Sequence, residues 1–468
     1  MRERTGIGAG LRARLAGVAG AALLALGPLP AAAETLTDAL ISAYRTSGLL
    51  EQNRALLRAA DEDVAQAITA LYPVLNWQAQ SGYAEPAVDT LTASISLTGQ
   101  MTLWDGGANR LAIDAAKENV LAVREGLVAA EQQVLFDAVS AYLTVLNARG
   151  IVSLRESNVR LIGRELNAAR DRFEVGEITR TDVSLAEARL ALARSQLASA
   201  EGDLAVAREE YKRAVGRYPG DLEQPADPPL PATTIEEVKA RAVRSHPLVR
   251  QAQRQVSVAE INAARADASR NPQLGVGIGL TGSADGGSQL SNDRIRRSVT
   301  VTLGGPVYQA GRIDSLVRQA VAQTESARAD LLQTIELAEQ RSGNAFANLL
   351  VARAVLESSQ RQVLAQQQAF EGIREEATLG ARTTLDVLDA EQDLLDARTT
   401  VVTALTQQFI AQYALLSAQG LLTVDYLRLG IPTYDPSAYY NAVKDAPVYT
   451  SPQGQALDRV IKSLNLDR

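Results

Sequence analysis

Charged side chains that could act together stand at two corresponding turns of the chain. Asp182 lies six residues after the Val-Gly pair that ends at Gly176, and Arg382, Asp386 and Asp389 follow a Leu-Gly pair in the same way. Carboxylates just after a turn commonly cap the first turn of a helix, a role that suits Asp182 and Asp386. Asp389 lies one helical turn further on, where capping is unavailable, so we expect a different role for it. The chemistry indicated is helix capping and ion pairing.

No group of residues indicates an enzyme or a cofactor site. His246 is the only histidine, and it precedes Pro247 at an expected helix start. One histidine and no cysteine make a structural zinc site implausible. The alternating glycines at 275–279 superficially resemble a nucleotide-binding loop, but no helix follows directly and their spacing is that of a strand. We therefore expect no catalytic residue, no metal and no cofactor.

The N-terminus has the pattern of an export signal. Four arginines precede an apolar run, a Gly-Pro break and three alanines that end at Ala33, which predicts a signal peptide over residues 1–33. The net charge is −7, and removal of four Arg and one Glu gives −7 − 3 = −10, which disfavours nucleic-acid binding. No uninterrupted apolar run of about 18 residues follows, so we expect any membrane crossing to use strands.

The rest of the chain is an internal duplication. An offset of 199 residues aligns the start of the two copies, and an offset of 204 aligns the later parts, including Gly176 with Gly380 and Asp182 with Asp386. The sequence predicts one unit at 34–217, a linker at 218–233, a second unit at 234–430 and a tail at 431–468. The linker and tail are expected to be irregular, apart from a short helix near 453–464.

Two strands are expected in each unit, within 74–104 and 272–305. Apolar residues alternate with small or polar ones, and about ten residues is enough for a tilted transmembrane strand. A half-buried strand in a soluble sheet has the same alternation. Four strands cannot close a barrel, however, so they must pair with strands of other copies. Four aromatic residues flank the strands like the girdle of a membrane barrel: Trp77, Tyr83, Trp104 and Tyr308.

Long helices account for most of the remaining sequence. A continuous helix is expected over Leu36–Leu71, and the 66 residues Ala108–Phe173 contain no proline and have apolar residues at steps of three and four. At 1.5 Å per residue this second helix is about 100 Å long. Return helices with an alanine in every heptad indicate antiparallel hairpins with tips near 174–182 and 378–389. Heptads alone indicate an ordinary solvated coiled coil more often than a channel.

Together these residues resemble the TolC family of outer-membrane efflux and secretion channels. The most specific motifs are Arg-Phe-Glu-Val-Gly at 172–176 with Thr-Asp-Val at 181–183, and Leu-Gly-Ala-Arg-Thr at 379–383 with Asp-Val-Leu-Asp at 386–389. Trp-Asp-Gly-Gly at 104–107 and Pro-Val-Tyr-Gln-Ala-Gly at 306–311 also match. The resemblance implies a mainly α protein with a β-barrel portion, in which a homotrimer forms a twelve-stranded outer-membrane barrel and a periplasmic barrel of helices.

The resemblance also assigns roles to the turns. It implies that Asp182 and Arg382 bridge protomers at the periplasmic entrance, and that Asp386 and Asp389 form acidic rings that narrow it and favour cations. This sequence has Ala377 where a family tyrosine can add a gate hydrogen bond. The residues that would contact a periplasmic adaptor at the tips are Val175, Gly176, Thr181, Leu379, Gly380 and Thr384.

The expected function is a passive exit duct for drug efflux, type I protein secretion or both, opened by partners. These partners are a periplasmic adaptor and an inner-membrane transporter or secretion ATPase, and the chain resides in the outer membrane with a long periplasmic portion. The competing hypothesis is an exported periplasmic coiled-coil scaffold or adaptor without a pore. The sequence does not identify the cargo.

Overall fold

A computed structural model describes residues 33–84, 90–231, 234–285 and 295–465. The expected signal peptide lies outside these residues, except for Ala33. The described chain is mainly helical, with one four-stranded antiparallel sheet, as the sequence predicts. The first half contains α1 (Leu36–Thr46), α2 (Gly48–Thr69), β1 (Val74–Ala84), β2 (Thr90–Trp104), α3 (Ala108–Glu174) and α4 (Arg180–Val215). The second half contains α5 (Ile235–Ser245), α6 (Pro247–Ala268), β3 (Gln273–Asp285), β4 (Ile295–Gly304), α7 (Arg312–Thr378) and α8 (Thr384–Ala418), followed by α9 (Pro436–Val443) and α10 (Pro452–Asn465).

The helix expected over Leu36–Leu71 is in fact two helices. The chain turns to an extended conformation at Ser47, whose side chain accepts a hydrogen bond from the backbone N–H of Leu50 and caps α2. The second half breaks in the same way at His246, where Nδ1 accepts from the N–H of Leu248 at 3.2 Å. The expectation that His246 stands at a helix start is confirmed. The continuous helix was wrong because a capping residue can restart a helix inside a segment of helical composition.

The two longest helices, α3 and α7, have 67 residues each and form antiparallel hairpins with α4 and α8. α3 also packs against α2, α6 and α8, and the largest apolar cluster surrounds its middle. One 18-residue window of α3 has a mean hydropathy of 1.2, and half of it is buried. Length and composition alone would allow α3 to cross a bilayer, but core helices of soluble proteins meet the same criteria.

The strands pair in the order β1-β2-β3-β4, and their register sorts the side chains by polarity. Trp77 lies opposite Leu97, Leu97 opposite Leu280, and Ile278 opposite Val299, so apolar residues form rows on one face. The other face is a concave surface lined by small and polar residues, among them Asn76, Thr98, Gly277, Ser298 and Thr300. The composition of residues 281–292, rich in Gly and Ser, is typical of a loop, but β3 continues to Asp285 because its end stays paired with β2.

The linker and tail pack against the helices. Residues 217–231 contain no helix or strand, and one bridge joins Leu222 to Glu34. In the tail, α10 confirms the helix expected near 453–464, whereas α9 was not expected. The Asp-Pro sequence at its start is a recognisable signal, because Asp435 caps the helix and Pro436 occupies its first turn.

Candidate functional site

The first hairpin tip is a tight turn followed by a capped helix. α3 ends at Glu174, Val175 caps it, and Gly176 has a φ of +84°, a left-handed conformation that glycine adopts without strain. The Oδ2 atom of Asp182 accepts hydrogen bonds from the N–H and hydroxyl of Thr179 at 2.9 and 2.8 Å, and the Thr179 hydroxyl accepts from the Asp182 N–H. The hydrogen bond from the Thr179 side chain is the main cause of the lowered pKa of Asp182, and the backbone bond from Thr179 lowers this pKa further.

The second tip repeats this geometry closely. Gly380 has a φ of +81°, and Asp386 accepts from the N–H and hydroxyl of Thr383 at 2.9 and 2.8 Å. The backbone bond from Thr383 is the main cause of the lowered pKa of Asp386. Both turns present an apolar side chain at the apex, since Val175 is 72% and Leu379 85% exposed. The capping role that the sequence leaves open for Asp182 and Asp386 is therefore present at both tips.

Arg382 and Asp389 have ion-pair partners within the chain. Arg382 donates from Nε to Glu376 at 2.8 Å, and Glu376 raises the pKa of Arg382. Asp389 on α8 pairs with Arg189 on α4, which ties the two hairpins together. Sequence reasoning missed Glu376 and Arg189. Glu376 lies six residues before Arg382 across the turn, whereas no local signal connects Arg189 to a carboxylate 200 residues away.

The expected pairing of Asp182 with Arg382 does not occur within one chain. The described hydrogen bonds of the Asp182 carboxylate come from Thr179, and Arg382 is engaged by Glu376. Because the resemblance implies that this pair joins neighbouring protomers, the pairing stays a prediction. The acidic rings of Asp386 and Asp389 also stay a prediction, since they require more than one copy.

A buried polar contact lies just above the tips, between α3 and α8. Glu391 is 5% exposed, and its Oε1 accepts a hydrogen bond from Nδ2 of Asn158 at 3.1 Å. Its other oxygen has no hydrogen-bond partner. Burial raises the pKa of Glu391 to about 7, while the bond from Asn158 lowers it. Sequence reasoning did not single out this carboxyl group.

The four aromatic residues of the expected girdle are all exposed, at 49–86%. Trp104 is the last residue of β2 and Tyr308 follows β4, so both lie at the end of the sheet that joins the long helices. Tyr83 lies near the other end. Trp77 lies between these levels, opposite Leu97. The structure thus places three of the four near the ends of the sheet.

The described residues contain no group of three or more His, Cys, Asp or Glu side chains arranged to hold a metal ion. What the arrangement does offer is physical: a sheet with one apolar and one polar face, and rods that end in charged tips. Several such sheets joined edge to edge can surround a path.

Comparison with known proteins identifies the family. The family description "Outer membrane efflux protein" matches residues 42–217 and 240–421. The outer membrane efflux protein BepC of Brucella suis is 34% identical over 89% of this chain and 91% of its own, and the outer membrane protein TolC of Escherichia coli is 25% identical over 91% and 88%. The open-state structure of the MtrE outer membrane channel of Neisseria gonorrhoeae has the same fold, with a TM-score of 0.73 at 19% identity over 84% of this chain and 90% of that one. The chain belongs to the outer membrane efflux protein family, the TolC family that the motifs of its hairpin tips and strand junctions indicate.

Proposed function

We propose that three copies of this chain form one outer-membrane exit duct. The observation that carries the proposal is the sheet. Its apolar face is exposed, with Trp77 at 75% and Val299 at 77%, and β1 and β4 each have one side without a described strand partner. Exposed apolar surface of this extent needs a cover, and unpaired strand edges need partners. Lipid covers the face, and β4 of one copy pairs with β1 of the next.

Three copies give twelve strands, which is enough to enclose a water-filled path. The polar concave face then lines that path, and Trp104, Tyr308 and Tyr83 lie at the membrane interfaces. Below the membrane the long helices continue the wall into the periplasm. Large apolar side chains of α7 that are exposed in one chain contact the neighbouring copies: Leu332, Leu350, Val351, Val355 and Leu364.

The helical tips form the closed entrance. Asp182 of one copy pairs with Arg382 of the next, and Asp386 and Asp389 converge around the axis as rings of negative charge. Arg382 already has a partner in Glu376, and both side chains are about half exposed, so exchange between two carboxylates costs little. Such weak contacts suit a gate that a partner protein opens.

The exposed apices bind the partner. Val175 and Leu379 offer apolar side chains on two matching turns, and a periplasmic adaptor with a complementary apolar groove covers them. The remaining contact residues are Gly176, Thr181, Gly380 and Thr384. The adaptor connects the duct to an inner-membrane transporter or a secretion ATPase, and the partner selects the cargo, whether small molecules or a secreted protein.

Single-channel recording of the purified protein in planar bilayers tests the duct. We expect conductance steps, and Arg382→Ser should raise the conductance because it removes a gate contact. Arg328→Ser is the matched control, since Arg328 pairs with Glu260 far from the tips and its loss should leave the conductance unchanged. A soluble monomer without steps would refute the duct and favour the periplasmic scaffold.

A second recording tests the acidic rings. Replacing Asp386 and Asp389 by alanine should reduce the preference for cations, measured as the reversal potential in a salt gradient. Asp393→Ala is the control, because Asp393 lies on the same helix one turn further from the tip. An unaltered reversal potential in the double variant would remove both residues from the path.

A further inference from the structure

Equivalent glutamates of the two hairpins have different partners. Glu187 on α4 pairs with Arg170 on α3 at 2.6 Å, an exposed contact inside the first hairpin. The 204-residue offset of the duplication assigns Glu391 and Arg374 to the same two positions of the second hairpin. Glu391 is nevertheless turned away from its own hairpin and buried against Asn158 of α3. The carboxyl group of Glu391 thus has two candidate partners, the cation Arg374 and the neutral amide of Asn158, and the described contact is with Asn158.

The buried position suits the protonated form of the carboxyl group. A single amide N–H is poor compensation for a buried negative charge, and one oxygen of Glu391 has no partner. Glu165 on α3 raises the pKa of Glu391 and Arg164 on α3 lowers it, both less than burial does. On α4 the charged side chain that reaches α8 is Arg189, which Asp389 occupies. On α7 the duplication places Arg374 at the position equivalent to Arg170, and this side chain is exposed.

We propose that Glu391 is a two-position switch between the hairpins: when protonated it holds α8 against α3 through Asn158, and when ionised it leaves the interface and pairs with Arg374 of its own hairpin. The pair of Glu187 with Arg170 shows the geometry of this second position. Because α8 begins at the second tip, its release from α3 loosens the proposed entrance. This role rests on the proposed duct, whereas the movement of α8 does not.

The direction of the pH effect follows from proton binding. The pKa of Glu391 is about 7 in the buried position, against the ordinary 4.5. Between these values the buried arrangement binds the extra proton, so it is fully favoured at acid pH and is weakened as the pH rises through 7. Inside this window the ratio of buried to released form falls by up to about tenfold per pH unit.

Pulsed electron spin resonance measures the separation of α3 and α8 directly. The sequence contains no cysteine, so spin labels attach only at Glu156→Cys on α3 and Asp393→Cys on α8. We expect the distance distribution to move to longer distances between pH 5.5 and pH 8.5. Glu391→Gln mimics the protonated form and should keep the short distance at both pH values, and Arg374→Gln should move the midpoint to higher pH.

Glu187→Gln is the matched control, because it changes the equivalent glutamate of the first hairpin and should leave the transition intact. A distance that does not change with pH in the unaltered background, or a transition that persists in Glu391→Gln, would overturn the switch. The result is independent of conductance: failure to form channels in bilayers would refute the duct, and the label distances would still decide the role of Glu391.

Discussion

Replacement of Glu34 by alanine should destabilise the protein more than replacement of an exposed carboxylate residue by alanine. Glu34 is 9% exposed and its carboxylate accepts three hydrogen bonds, from the hydroxyl of Tyr211 at 2.5 Å, from Arg217 at 2.8 Å and from the N–H of Gly220 at 2.9 Å. Its backbone carbonyl accepts another from the hydroxyl of Tyr142. Cleavage of the expected signal peptide after Ala33 would make Glu34 the first residue, so these bonds fasten the new N-terminus to α3, to α4 and to the start of the linker.

The magnitude follows from what the substitution leaves behind. Breaking a fully buried ion pair costs about 3–5 kcal/mol. Arg217 is about half exposed and regains water, so its share is small. Tyr211 is fully buried, and its hydroxyl would be left without this partner, which costs about 1–3 kcal/mol. With the lost bond from Gly220, we expect about 2–3 kcal/mol in all.

Thermal unfolding in detergent, followed by circular dichroism, measures this loss. At about 2 °C per kcal/mol for a large domain, Glu34→Ala should lower the Tm by roughly 4–6 °C. Glu34→Gln keeps the shape and should lose about half as much. Glu210→Ala is the control, since Glu210 is an exposed acid next to Tyr211 and its loss should stay within about 0.5 kcal/mol. Equal Tm values for Glu34→Ala and Glu210→Ala would refute the anchoring role.

Three further changes test other parts of the fold. Gly216→Ala should lower the free energy of unfolding, measured by denaturant titration, by about 1–2 kcal/mol, because Gly216 has a φ of +88° and a Cβ would lie 2.5 Å from Oγ1 of Thr46. Gly202→Ala is the control: Gly202 lies inside α4 with open space around it, so the change should raise the free energy of unfolding by about 0.5–1 kcal/mol. Asp61→Asn should raise the Tm at pH 8 and only about half as much at pH 5. Burial raises the pKa of Asp61 to about 6, so ionisation penalises folding progressively as the pH rises from 3.8 through 6, and pH 5 lies inside that window. An equal gain at both pH values would contradict this. Leu379→Ala should leave the Tm unchanged, because the side chain is 85% exposed. It should weaken the binding of the adaptor, measured by calorimetry, at least tenfold, and an unchanged affinity would remove Leu379 from the proposed contact.

Much of the fold is predictable because its signals are periodic and long. The alternation in the strands determines which face is apolar. A shift of the pairing register by one residue would move every side chain to the opposite face, so the pattern allows few alternative registers. Likewise, 66 residues without proline and with one apolar stripe specify the length of α3 to within a residue. The Thr-x-x-Asp sequences at both tips specify the caps, because Thr and Asp bond each other's backbone within one turn.

The features that sequence reasoning missed depend on distant partners or on a single residue. The break at Ser47 rests on one capping side chain between two segments of helical composition. The contacts of Glu391 with Asn158 and of Asp389 with Arg189 join residues 233 and 200 positions apart. The alignment of the two copies suggests Arg374 as the partner of Glu391, by analogy with Glu187 and Arg170, whereas the described contact is with Asn158. Glu391 differs from Glu187 because it is buried between the two hairpins, and no local sequence pattern indicates this burial.

The two halves of the chain also differ in how much of their long helices a single copy covers. α3 and α7 have the same length, but eighteen residues of α3 are buried and only seven of α7. α3 is enclosed by α2, α4, α6 and α8, whereas α7 is covered mainly by α6 and α8 and exposes large apolar side chains along its length. Exposed large apolar side chains along one helix indicate a surface that another molecule covers. The uncovered face of α7 therefore supports the proposed contact between copies. In the proposed duct this contact would hold the second hairpin from outside, while the bonds of Glu391 with Asn158 and of Asp389 with Arg189 hold it within one chain.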